Sequence, residues 1–110
     1  MKWLLVCLAW FTICTSVPGE AQIQDRVALC ELFTNTACLP CAPENQAFDL
    51  WLKSYTHSNR VAVIKYHVWW PAENDPYYVA NISPVRWRCL WYQGQLGYVP
   101  HMYVDGSDAG

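Results

Sequence analysis

Between Arg26 and Val68 the chain passes through an apolar run, a stretch of helical periodicity and a run of β-branched residues. No other feature constrains the fold as much. "RVALCELFT" (Arg26 to Thr34) holds only Glu31 as an internal charge, which suits a strand covered on both faces. From Glu44 to Tyr55, residues Ala47, Phe48, Trp51, Leu52 and Tyr55 recur at the spacing of one helix face. "THSNR" signals a turn, and "VAVIKYHV" (Val61 to Val68) reads as a second strand. Strand, helix and strand in this order make a βαβ unit with parallel strands and a right-handed crossover. The fold class is therefore α/β.

The rest of the chain is read on that frame. "WWPAENDPYYVANI" is an aromatic loop with a short turn of helix after Asp75-Pro76. Ser83-Pro84 forms an N-cap and N1 pair that opens a helix through about Gln93, with Trp87, Leu90 and Trp91 as its apolar face and Gly94 as its stop. "HMYV" (His101 to Val104) is a short third strand, and Asp105-Gly106 is a hairpin-type turn signal. No return strand is expected in "SDAG". The third strand would then keep an open edge. The expectation is that the domain is truncated at its C-terminus.

The opening "MKWLLVCLAWFTICTSVPGEAQ" has the layout of an export leader. Lys2 is a minimal basic region, Trp3 to Cys14 form an apolar stretch, and Gly19 and Ala21 are the small residues before a cut. The stretch is shorter than the roughly 20 residues that span a bilayer. Residues 1–21 are assigned as a signal peptide and 22–110 as one domain. The expected location is secreted, periplasmic or otherwise extracytoplasmic, with outer-membrane or membrane-surface association as an open extension. A net charge of −2 gives no basic face for nucleic acid. Oligomeric state is not readable.

Export bears on the cysteines. After removal of the leader, Cys30, Cys38, Cys41 and Cys89 remain, and outside the cytosol thiols can be oxidised and stay so. Four cysteines allow three complete pairings, and the spacing of Cys38 and Cys41 makes theirs the leading one. Cys-x-Pro-Cys between a strand and a helix is the context of a redox motif. With Cys38 at the helix N-terminus, unpaired N–H groups and the positive dipole end would stabilise its thiolate. Cys41, one turn on, would resolve a mixed disulfide. Pro40 fits a first turn, whereas Pro43 is expected to kink or delay the helix. The competing readings are a structural disulfide and a metal site. A closed zinc site needs four ligands, and there is no second CxxC. His67 and His101 are the residues that could complete a copper or zinc set, but no metal and no cofactor is assigned. Cys30 and Cys89 are read as small buried hydrophobes, with a bridge between them left open.

The ordered set "ELFTNTACLPC", "VIKYHVWWPAENDPYY" and "GYVPHMYVDG" resembles the thioredoxin-like superfamily. It is closest to secreted bacterial thioredoxin-like proteins related to outer-membrane proteins. The resemblance covers roughly Val27 to Gly106. It implies that the pair before the third strand, Val99-Pro100, is an X–cis-Pro facing the thiols and positioning substrate. It also implies a third strand antiparallel to the first, so that Cys38, Cys41, the His67–Trp70 segment, Pro100 and His101 share one sheet edge, where ligand sites of open α/β sheets gather. Leu39, Pro40, His67, Trp69, Trp70 and His101 are the expected rim. Departures are Ala37 in place of a Trp, Leu39 in place of a Gly, and Glu31, one strand position away from the family's buried acid and given no proton-transfer role. The largest departure is that the family's final strand and helix are expected to be missing. The implied function is an exported thiol–disulfide oxidoreductase acting on protein or small-molecule thiols and disulfides. The alternative is a non-enzymatic surface or outer-membrane-associated module with a structural CxxC disulfide.

Overall fold

The computed structural model describes residues 25–92 and 96–110. The leader expected over residues 1–21 and the helix stop at Gly94 lie outside them. Four strands, β1 (Ala28–Thr34), β2 (Val61–His67), β3 (His101–Val104) and β4 (Ser107–Asp108), form one sheet in the order β2-β1-β3-β4. Three helices join them: α1 (Cys41–Ser54), α2 (Pro76–Ala80) and α3 (Ile82–Trp91).

β1 is the central strand and the most buried, as its apolar run requires. It pairs in parallel with β2, from Ala28 opposite Val61 to Thr34 opposite His67. On its other side it pairs antiparallel with β3, Phe33 lying opposite His101. The ends of β1 and β2 and the start of β3 thus meet at one edge of the sheet, as expected.

The hairpin after β3 corrects one expectation. Asp105 and Gly106 take φ values of 50° and 82°, the positive pair that a tight two-residue hairpin turn needs. A return strand does form: Ser107 pairs with Val104 and Asp108 with Tyr103. The Ala109 amide then donates to the Met102 carbonyl at 2.9 Å. The turn is pinned to β1, because Asp105 Oδ1 accepts the Leu29 amide at 2.9 Å while the Asp105 amide donates to the Leu29 carbonyl at 2.8 Å. The sequence pattern missed this strand because backbone bonds, not side chains, hold it.

One face of the sheet carries the core: Phe33, Val68, Tyr78, Val85, Cys89, Tyr92, Leu96 and Tyr103. Tyr92 stacks on Tyr103 with centroids 3.7 Å apart, and Phe33 meets both edge-on. Helix α3 contributes Val85 and Cys89, not the face expected of it. Trp87, Leu90 and Trp91 are 72%, 66% and 70% exposed. With Val85 and Cys89 turned inward, Arg88 reaches Glu31 on β1, so the buried face of α3 carries an ion pair as well as apolar contacts. The helix is also capped by Asn81 and opens at Ile82, two positions ahead of the expected Ser83-Pro84 start.

Candidate functional site

Cys38 and Cys41 are joined in a disulfide with Cα atoms 5.3 Å apart. Their address differs from the expected one. Pro40 is the N-cap of α1 and Cys41 its first residue, so Cys38 stands two positions ahead of the cap. The Cys38 amide donates to the Asn35 carbonyl at 3.1 Å, and the Cys38 carbonyl accepts from the Cys41 amide at 3.2 Å. These bonds form a tight turn that leads into the helix. Pro43 neither kinks nor delays α1. It is the third helical residue, whose N–H would have had no intrahelical partner in any case, and the first helical bond runs from Glu44 to Pro40.

Two side chains hold this loop in place, and the sequence pattern singled out neither for it. The Asn35 amide group donates to the carbonyls of Val68 and Ala72 at 2.8 and 2.9 Å, and its oxygen accepts the Ala37 amide at 2.8 Å. Asp75 is buried and accepts four hydrogen bonds. Its Oδ1 takes the Tyr77 and Tyr78 amides at the start of α2, and its Oδ2 takes the Thr36 amide and His67 Nδ1. Burial pushes the Asp75 carboxyl up, but the bonds from His67, Thr36 and Tyr78 outweigh it and hold the group at about 2. A carboxylate can only accept, so the His67 Nδ1 carries the proton. The signal for Asp75 as a helix cap was present in Asp75-Pro76. Its bond to Thr36 joins segments far apart in the chain and has no local signature.

The Val99-Pro100 bond is cis, as is Trp70-Pro71. Cys38 Sγ lies 3.6 Å from the Val99 carbonyl oxygen. An open groove of about 480 Å³ passes the disulfide, lined by Ala37, Cys38, Leu39, Pro40, Trp70, Pro71, Gly97, Tyr98 and Val99. Of the expected site residues, the structure therefore brings Cys38, Leu39, Pro40, Trp70 and Val99 to one place. Cys41 is buried beneath them at 1% exposure, against 6% for Cys38. Pro100 lines a separate apolar groove against α1, with Phe48, Trp51 and Met102.

Three expected rim residues are elsewhere. His67 is drawn to Asp75 and packs on Tyr77, with centroids 4.5 Å apart. Trp69 packs against Trp70 and Tyr78 and carries the Arg86 guanidinium 4.6 Å from its ring centre. His101 is buried between Tyr98 and Tyr103; its Nε2 lies 3.1 Å from Asp108 Oδ1 without the alignment of a hydrogen bond. Among the described residues, no group of three or more His, Cys, Asp or Glu side chains stands close enough to hold a metal.

Glu31 faces away from α1 into the core. There it accepts hydrogen bonds from Arg88 and Tyr92. Burial raises the Glu31 carboxyl, but those bonds and the Arg88 charge bring it below the ordinary carboxylate range. The same burial, with Glu31 beside it, pushes Tyr92 up to about 12. Glu31 is thus a structural anion, held by Arg88 and Tyr92. Cys30 and Cys89 are both free and buried, and burial pushes Cys89 up to about 11.

No family model, no curated protein and no solved structure matches the chain.

Proposed function

We propose that this chain is an exported thiol–disulfide oxidoreductase of thioredoxin-like architecture, with Cys38 and Cys41 as its redox couple. The observation that carries the reading is a disulfide at the entry to α1 whose outer sulfur alone borders an open groove. In the reducing direction the Cys38 thiolate attacks a substrate disulfide, and Cys41, three residues on, attacks the mixed disulfide and releases product. In the oxidising direction the same steps run backwards. The Val99 carbonyl lies beside Cys38, and the family resemblance gives the Val99-Pro100 pair the substrate-positioning role in this proposal. The chemistry needs no cofactor. Protein or small-molecule thiols and disulfides are its partners, and membrane-surface association belongs to the same proposal.

A Cys41→Ala variant tests it: mixed disulfides should accumulate through Cys38, and complete failure to form adducts would overturn the reading. The second reading, a structural disulfide on a non-enzymatic surface module, draws on the burial of both cysteines. A reduction potential below about −300 mV would favour it over a working couple.

A further inference from the structure

The groove beside Cys38 has a chemical character that the redox reading leaves unused. Of its nine lining residues none is charged, and its walls are the side chains of Leu39, Trp70, Pro71 and Tyr98. Leu39 is 90% exposed although it sits between the two cysteines. A leucine so exposed stabilises nothing in the core, since its apolar surface remains in water. Covering it would be favourable by the ordinary hydrophobic gain, and the first molecule able to cover it is one that approaches Cys38. Tyr98, on the other wall, is also exposed. Cys38 itself is 6% exposed and lines this groove, so a sulfur that approaches through it meets those side chains.

We infer that the groove selects cysteines flanked by apolar or aromatic side chains in a polypeptide, and that Leu39 is a specificity-determining residue for them. The inference rests on the proposed exchange chemistry. In the oxidising direction a peptide thiolate attacks Cys38 Sγ. A sulfur–sulfur bond forms between peptide and Cys38 while the Cys38–Cys41 bond breaks, and the electron pair leaves on Cys41, which takes a proton from solvent. The peptide's second thiolate then attacks the peptide sulfur of the mixed disulfide and displaces Cys38 as a thiolate. The peptide loses two electrons in forming its own disulfide, and the protein gains two as a dithiol. Charged flanking groups would have to shed water against apolar walls that offer no counter-ion, a cost that apolar flanks do not carry.

The test mixes the oxidised protein with two-cysteine peptides that differ only in flanking residues: leucine and phenylalanine, aspartate, or lysine. Each rate is followed by quenched mass spectrometry. It is divided by the same peptide's rate with hydroxyethyl disulfide, which removes differences in thiol reactivity. The apolar peptide should react at least tenfold faster than either charged one. The ratio should persist in 0.5 M salt, where repulsion between an acidic peptide and a protein of net charge −2 is screened. In a Leu39→Asp variant the ratio of apolar to lysine-flanked rates should fall to twofold or less, with unchanged thermal stability. Normalised rates equal within twofold in the native protein overturn the selectivity while leaving the exchange reaction standing. A ratio that collapses in salt assigns it to net charge and also overturns the proposal. If neither peptides nor dithiothreitol reduce Cys38–Cys41, the redox reading falls, and this inference with it.

Discussion

Asp75 Oδ2 accepts the Thr36 amide at 2.7 Å and His67 Nδ1 at 2.8 Å, so one carboxylate oxygen ties the loop before Cys38 to the end of β2. The other oxygen caps α2, which makes Asp75 the point where three segments are fastened together. Replacing it by asparagine turns one of its two acceptors into a donor that faces N–H groups. Asp75→Asn should therefore destabilise the protein by roughly 2–3 kcal/mol. Urea unfolding would measure the change, and a loss under about 0.5 kcal/mol would show that the clamp is dispensable.

Acid should loosen the same point. The Asp75 carboxyl is depressed in the fold from an ordinary 3.8 to about 2. Its stabilisation is thus fully present above pH 4 and is lost as pH falls through about 2, an effect of roughly 2 kcal/mol. Glu31 is also depressed and loses its contribution in the same direction. Native stability should decline on acidification below pH 4, and Asp75→Asn should remove part of that slope. Parallel profiles for the two proteins would contradict the assignment.

The Glu31–Arg88 pair predicts an asymmetry. Arg88→Met leaves a buried carboxylate with its principal partner gone and should cost about 3–5 kcal/mol. The double variant Glu31→Leu/Arg88→Met removes both charges and should recover most of that loss. Chemical denaturation of the two variants decides the matter. Equal losses would mean that Arg88 acts through packing alone.

The orientation of α3 can be checked with three substitutions. Trp87→Ser and Trp91→Ser fall on exposed positions and should change stability by no more than about 0.5 kcal/mol each. Val85→Ala removes buried methyl groups and should cost about 1–2.5 kcal/mol. The reverse order would restore the face that periodicity suggested.

Thiol acidity gives a further ordering where exposure does not, since Cys89 is 8% exposed and Cys38 6%. Among the described cysteines, alkylation of the reduced native protein at pH 8 should mark Cys38 first. Cys89, pushed up to about 11 by burial, and Cys30, raised by burial with Asp105 nearby, should be marked last. Peptide mapping after timed labelling measures it. Early labelling of Cys89 would show that its side of α3 opens.

How much was legible divides along physical lines. β1, β2 and β3 could be read because apolar and β-branched runs bounded by turn residues carry their own signature, and the parallel pairing of β1 with β2 followed from the helix between them. α1 could be read as a helix, but not its start at Cys41, because Pro43 looks like a breaker unless its place in the first turn is known. α3 carries two apolar stripes. Choosing between them required long-range contacts, that of Arg88 with Glu31 among them, which no local periodicity contains. At the site, the cysteines stood out by spacing, whereas Val99-Pro100 was singled out only by the family resemblance. His67 and His101 stand at the expected sheet edge, but the partners of their side chains were not legible, because a strand-end side chain can turn toward several neighbours. Asp75 and the Tyr77 ring claimed the first, and Tyr98 with Tyr103 enclosed the second.

The sheet order places β1 between a strand that follows it closely and one supplied near the far end of the described chain. Cys38 and Cys41 are three positions apart, but Val99, whose carbonyl touches Cys38 Sγ, lies 61 positions downstream. A nascent or refolding chain therefore has its sulfurs within reach of each other long before the wall that screens them has docked. Bond-making between the thiols is a local event and the arrival of Val99 a late one, so a partly folded molecule can join its sulfurs before their neighbour is in place.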